Sequence, residues 1–162
     1  MPGMRDKRFI AEHRGGHLKK EQQYQLIKWA CGCAEHVLRL FGEKIDARLV
    51  NALDVAKEWK QGKASVGDAR KASVGAHAVA REYSNPVSIA VARAVGHAVA
   101  TAHMADHSLG AAIYALKAVR SAGKPIDAER KWQNARLPPE IKALVLDARS
   151  KKEKLSKDLR TQ

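Results

Sequence analysis

Residues 65–105 read SVGDARKASVGAHAVAREYSNPVSIAVARAVGHAVATAHMA, and their reading decides the fold. Ser65 is a helix N-cap residue, and Asn85-Pro86 supplies a cap followed by a first-turn proline. The stretch therefore predicts one helix from Ser65 to Tyr83 and a second from Pro86 to Ala105. Small residues dominate both, which lets helix axes approach toward the ~8 Å lower limit of ordinary packing. A close-packed, layered helical array fits that composition better than a leucine-rich four-helix bundle. His77-Ala78-Val79-Ala80 recurs as His97-Ala98-Val99-Ala100, a faint repeat that chance or a pair of related hairpins would both explain.

Outward from this stretch every strongly periodic segment is helical, and none has the alternation and β-branched content of a strand. A first helix is expected from Lys20 to Phe41, with Ile27, Ala30, Ala34, Val37, Leu38 and Phe41 on one stripe and Gly42 as its stop. A second runs from Asp46 to Lys60, presenting Leu49, Leu53, Ala56 and Trp59, and ends at Gly62. Asp106-His107-Ser108 marks a break before a helix over Leu109–Ala122, which Gly123-Lys124-Pro125 terminates. Helices over Asp127–Arg136 and from Pro138 or Pro139 to Leu155 complete an all-α chain of six to seven antiparallel helices. Trp29 and Trp59, beside apolar neighbours at helical spacing, are expected as core anchors.

The chain has 162 residues, 45% of them hydrophobic and 5% aromatic, with 30 Lys and Arg against 17 Asp and Glu. This size suits one domain, which at ~150 residues buries roughly 70% of its unfolded surface and needs no disulfide or metal staple. Expected boundaries are a basic arm at 1–19, a helical domain at 20–155 and a basic tail at 156–162, with the ends loose in part. Residues 1–20 and 148–162 each carry six cations and two acids, so most of the net +13 is terminal. Basic termini of this kind bind nucleic acid through phosphate contacts, or simply end a helix in water. Cys31 and Cys33 sit too close for a secreted disulfide framework, which favours a reducing, cytoplasmic setting. No apolar run follows the basic N-terminus as a signal peptide requires, and Arg93, His97 and His103 interrupt the longest apolar stretch. Neither a signal peptide nor a membrane span is expected.

Seven histidines raise a metal reading. His103 and His107 share a face at i, i+4 on an unbroken helix, and His36 and Cys33 are further candidate ligands. The His-Met-Ala-Asp-His run lacks the glutamate of a zinc protease, and Cys-x-Cys is not the usual knuckle, so a polar seam between helices is the commoner alternative. No metal or other cofactor is assigned. A second stripe places Arg70, His77 and Arg81 on one face, and Arg93 with His97 on another. If these faces meet they form a cationic groove, with Asp68, Glu82, Asp106, Glu35, Asp46 and Glu58 as candidate neutralising acids. A structural ion-pair network and an acidic-partner site both fit, since unpaired buried arginines would be very costly. No Gly-x-Ser-x-Gly elbow, P-loop, dinucleotide fingerprint or divalent-metal cage is present, so an enzyme is the weaker class. Few aromatics remain to stack bases.

Ordered blocks carry a resemblance: Trp29-Ala30-Cys31-x-Cys33-Ala34-Glu35-His36-Val37-Leu38, Asp46-Ala47-Arg48, Ala56-Lys57-Glu58-Trp59, Ala76-His77-Ala78-Val79-Ala80-Arg81, and Gly96-His97 through His103, His107 and Tyr114 to Ala118. Over residues 13 to 148 the chain resembles the bacterial putative immunity proteins with an Imm-5-like domain. The resemblance implies a non-enzymatic protein that neutralises a toxin by binding it, and it brings no catalytic residues. It also implies that Trp29, Glu35, His36, Asp46, Arg48, Trp59, Arg70, His77, Arg81, His97, His103, His107 and Tyr114 belong to characteristic blocks. Glu35, His36, Asp46, Arg48, Arg70, His77, Arg81, Arg93, His97 and Tyr114 are the candidate binding residues. Nuclease inhibitors commonly present acids, whereas +13 repels a basic toxin. The target is then acidic or neutral, or a local acidic patch outweighs the total. A basic nucleic-acid-binding protein and a histidine-rich metal protein or metal-dependent enzyme are the alternative functions, and small-residue helix faces also suit a homo-oligomer.

Overall fold

A computed structural model describes residues 5–42, 44–156 and 159 of the protein. Among the described residues seven α-helices follow one another: α1 Lys20–Val37, α2 Ala47–Lys60, α3 Val66–Glu82, α4 Pro86–Ala100, α5 His107–Ser121, α6 Ile126–Ala135 and α7 Pro139–Leu155. Among the described residues no strand occurs, only an isolated bridge between Ala11 and Leu18. The chain is all-α, and no helix among those residues is long and apolar enough to cross a membrane.

The caps are local chemistry. Asp46 accepts from the Arg48 amide at 3.0 Å, and Asn85 accepts from the Val87 amide at 2.9 Å ahead of Pro86. Ser65 and Asp68 exchange a reciprocal pair of bonds at 2.9 and 3.0 Å, satisfying two amides that the first turn of α3 would otherwise leave bare. At the far ends Gly62 and Gly123 take positive φ values of 77° and 75°, a conformation that costs glycine nothing.

Helix α4 is the centre of the array, packed between α3 and α5 and also against α1 and α2. Ala90, Val91, Ala92, Ala94, Val95, Ala98 and Val99 are all buried, so α4 has core on several sides, as its nearly continuous apolar sequence requires. The α1 stripe of Ile27, Ala30, Ala34 and Val37 is buried, as is Trp29, whose indole Nε1–H donates to Gln133 O at 2.9 Å. Trp59 is half-buried and lies edge-on to Tyr24 at 5.4 Å. One cluster of buried residues runs from Phe9 to Ala148. Phe9 and Leu18 are each only 2% exposed, so the described part of the segment expected as a basic arm packs onto the helices through these two side chains. Of the expected tail, residues 157, 158 and 160–162 lie outside the described residues, as do residues 1–4 of the arm.

Two boundaries differ from expectation. Helix α1 tightens into a 3-10 turn over Leu38–Leu40 instead of running to Phe41. Helix α4 stops at Ala100, five residues early, and α5 begins at His107. The reason is tertiary: Gln23 on α1 donates its side-chain amide to Thr101 O and Ala102 O at 3.1 and 3.2 Å, capping carbonyls that a continuing helix would have used. Thr101 Oγ1 also donates back to His97 O at 3.1 Å.

Candidate functional site

The turn at 101–106 decides which histidines meet. His103 and His107 are no longer on one helix, and His107 swings to His97 instead, with Nδ1 atoms 2.9 Å apart. A seam results across three helices: His77 from α3, Arg93 and His97 from α4, and His107 and Tyr114 from α5. Arg93 Nη1 donates to His77 Nδ1 at 2.7 Å. The His77 ring stands edge-on to His97 at 5.2 Å, and His97 is stacked on Tyr114 at 5.3 Å with the planes 11° apart. Lys117 Nζ lies 4.7 Å from the centre of the Tyr114 ring. All five seam side chains are half-buried, so the seam reaches the surface.

Glycines make room for the rings. A Cβ on Gly96 would stand 2.6 Å from His77 Nε2, and one on Gly110 would stand 2.8 Å from His97 Nδ1. Each histidine of the His-Ala-Val-Ala repeat is thus seated over a glycine of the next helix: His77 of α3 on Gly96 of α4, and His97 of α4 on Gly110 of α5. That arrangement gives the repeat a physical meaning.

The protonation pattern follows from the geometry. A guanidinium has only donors, so the His77 Nδ1 facing it is a lone pair and the ring is neutral with its proton on Nε2. Between His97 and His107 one Nδ1 donates and the other accepts, so at most one of the pair can be charged without losing the contact. Electrostatics agree: burial pushes His97 down to about 3, and burial with the Arg93 charge pushes His77 down to about 4. Burial also lowers His107. The permanent positive charge of the seam is therefore that of Arg93, with Lys117 beside it.

The other candidate residues fall into separate places. Arg48 forks onto both Asp46 and Glu82, each at 2.9 Å, and so ties the start of α2 to the end of α3. Tyr83 Oη donates to Asp46 at 3.4 Å. The Arg48 guanidinium holds the Asp46 carboxyl well below its ordinary range, at about 2. His36 Nδ1 lies 2.6 Å from buried Glu129 and its ring stacks on Trp132, linking α1 to α6. Glu35 pairs with Lys57 at 3.6 Å. Arg70 and Arg81 are exposed on α3, outside the seam. The faces carrying His77 and Arg93 do meet, but of the acids named as neutralisers Glu82 pairs with Arg48, Asp68 with the Ser65 cap, and Asp106 lies 3.6 Å from Arg5.

The four side chains considered as metal ligands have different surroundings. Cys33 is buried in the core, His36 is bound to Glu129, and His103 stands in the turn. Burial raises the Cys33 thiol and pushes Cys31 up to about 12, away from the thiolate that a metal needs. Among the described residues no group of three or more His, Cys, Asp or Glu is placed to hold a metal ion. The sequence missed His107, Gly96 and Gly110 as members of the seam; two glycines set fourteen residues apart in successive helices were the available signal.

Residues 16–140, well over half of the chain and including the whole seam, match the family described as Imm-5 like putative immunity protein. The chain belongs to this family. No curated protein and no solved structure matches it. Every block that carried the resemblance lies inside the matched range, so seam and family likeness coincide in sequence.

Proposed function

We propose that this immunity-family chain acts in the cytoplasm by binding a protein toxin directly and blocking it without catalysis. Family membership carries the reading. The partner-facing residues are taken from the candidate set, led by the seam of His77, Arg93, His97 and Tyr114, with Glu35, His36, Asp46, Arg48, Arg70 and Arg81 as further candidates outside it. What supports the seam is its chemistry: an arginine whose partner is a neutral imidazole rather than a carboxylate keeps its charge uncompensated, and a half-buried tyrosine beside a cation is a frequent anchor of interfaces. A net charge of +13 steers toward an acidic or neutral surface, since like potentials suppress encounter.

The test uses the protein products of genes adjacent to this one. Each is expressed inducibly in a bacterial host, and growth arrest is scored with and without co-expression of the chain. A product whose arrest is relieved, and which forms a complex with the purified chain after nuclease treatment, supports the reading. Arg93→Glu should weaken that complex at least about tenfold, a 1.4 kcal/mol effect. If no such product is relieved, and the chain instead binds duplex or single-stranded DNA with a steep loss on adding salt, the basic nucleic-acid alternative replaces it.

A further inference from the structure

Away from the seam, a cavity of about 390 Å³ lies between residues 5–18, the start of α1, Trp59 and the 101–106 turn. Its size is that of a small-molecule site, for which ~300–1,000 Å³ is usual. Phe9 and Leu18 give it a buried apolar floor, and Trp59, braced edge-on by Tyr24, gives it an aromatic wall. Its rim is cationic: Arg5, Arg14 and Lys20 line it beside His103, against Glu12 as the one acid in the lining. Arg5 has Asp106 at 3.6 Å, whereas Arg14 and Lys20 have no ion pair among the described residues. Arg70, Arg14 and Arg5 lie near enough to His103 that their charges, after burial, lower its proton affinity. His103 Nδ1 is itself buried without a hydrogen-bond partner. Positive charges thus converge at the mouth of an apolar hole, an arrangement whose mutual repulsion an anion relieves.

We propose that this cavity binds a small organic carboxylate with an apolar body, the carboxylate facing Arg14 and Arg5 and the body lying against Phe9, Leu18 and Trp59. The site is separate from the seam, and its ligand owes nothing to the toxin-binding reading. Recognition has two parts, a desolvated apolar contact for affinity and charge for orientation, so changing either end of the ligand changes binding in a defined way.

The experiment titrates the ¹⁵N-labelled full chain with naphthalene-2-carboxylate, its neutral carboxamide and the cationic 2-naphthylmethylamine. Chemical shifts of the Trp59 indole N–H and of the Phe9, Leu18 and Ala105 amides are followed. Saturable binding of the carboxylate with Kd below about 1 mM, and about tenfold weaker binding of the amide and amine, is expected. Arg14→Glu, at an exposed position with no ion pair among the described residues, should weaken the carboxylate about tenfold. Lys142→Glu, the same charge change at an exposed position outside the cavity, should leave Kd within twofold. Equal binding of the three probes, shifts spread over the surface without saturation, or equal effects of the two variants would each overturn the proposal.

Discussion

Replacing Gly96 by alanine tests the seating of the histidine seam. In a helix interior alanine is more stable than glycine by ~1 kcal/mol. Gly32 in α1 and Gly75 in α3 have nothing within 4 Å of where a Cβ would stand, so Gly32→Ala and Gly75→Ala should each gain about that much. At Gly96 the new carbon would stand 2.6, 2.7 and 2.9 Å from Nε2, Cε1 and Cδ2 of His77. The ring has little room to yield, because Arg93 holds its Nδ1 at 2.7 Å and His97 stands against it at 5.2 Å. Overpacking of this kind costs ~1–3 kcal/mol, and a lost hydrogen bond to a charged group costs about 1.5 more. After the propensity gain, Gly96→Ala should be less stable than the parent by about 1.5–3.5 kcal/mol, and Gly110→Ala, with contacts of 2.8 and 2.9 Å to the His97 ring, should also be destabilised. Urea unfolding at pH 8, followed by far-ultraviolet circular dichroism and extrapolated linearly, measures all four. In a His77→Ala background the obstruction is gone, and Gly96→Ala should again gain ~1 kcal/mol. If Gly96→Ala instead matches Gly75→Ala in the parent, the seating argument is refuted.

Acid should loosen the fold well above the carboxylate range. His97 has its ordinary value near 6.5 when unfolded and about 3 when folded, so above pH 6.5 both states are neutral and below it only the unfolded chain takes the proton. At pH 5 this one ring therefore removes ~2 kcal/mol of stability, His77 and His107 act in the same direction, and His97→Gln should flatten the difference between urea midpoints at pH 7.5 and pH 5. Buried Arg149 donates to Gln133 and Asn134 and lies 3.2 Å from Glu153, so Arg149→Ala should cost about 3–5 kcal/mol in the same urea assay. Arg149→Lys should recover little of that loss, since an ammonium cannot fork between three partners; full recovery would show that charge alone matters there. Cys31 and Cys33 are buried with thiols shifted upward, so a disulfide exchange reagent at pH 8 should modify neither in the native protein and both in urea. Prompt reaction of either native thiol would contradict that packing.

The parts of the fold legible in the sequence are those set within a few residues of themselves. Ser65, Asn85-Pro86 and Asp46 make their caps with amides two or three positions on, so their type and place were enough to start α3, α4 and α2. The end of α4 was not legible because its stop signal is Gln23, 78 positions earlier, whose amide reaches Thr101 O only after α1 has docked. That single misplacement carried into the site. On an unbroken helix His103 and His107 would share a face and suggest a metal pair; with the turn in place, His107 heads α5 and meets His97.

The same logic explains why the cationic groove was half foreseen. Helical spacing put Arg93 beside His97 and His77 beside Arg81, but it carries no information on the rotation of α3 about its axis against α4. The glycines supply that information. His77 can lie flat against α4 only where that helix has no side chain, which is at Gly96, and His97 can approach α5 only at Gly110. Once those two contacts are fixed, the relative rotation of three helices is fixed with them, and Arg70 and Arg81 are left in solvent while Arg93 is drawn inward onto His77. The seam then carries one guanidinium against three imidazoles that are neutral at physiological pH, because each ring nearer the core loses more hydration than any neighbouring acid returns. An interface built there presents charge only from arginine and lysine, and its strength should not vary with pH until acid begins to unfold the seam itself.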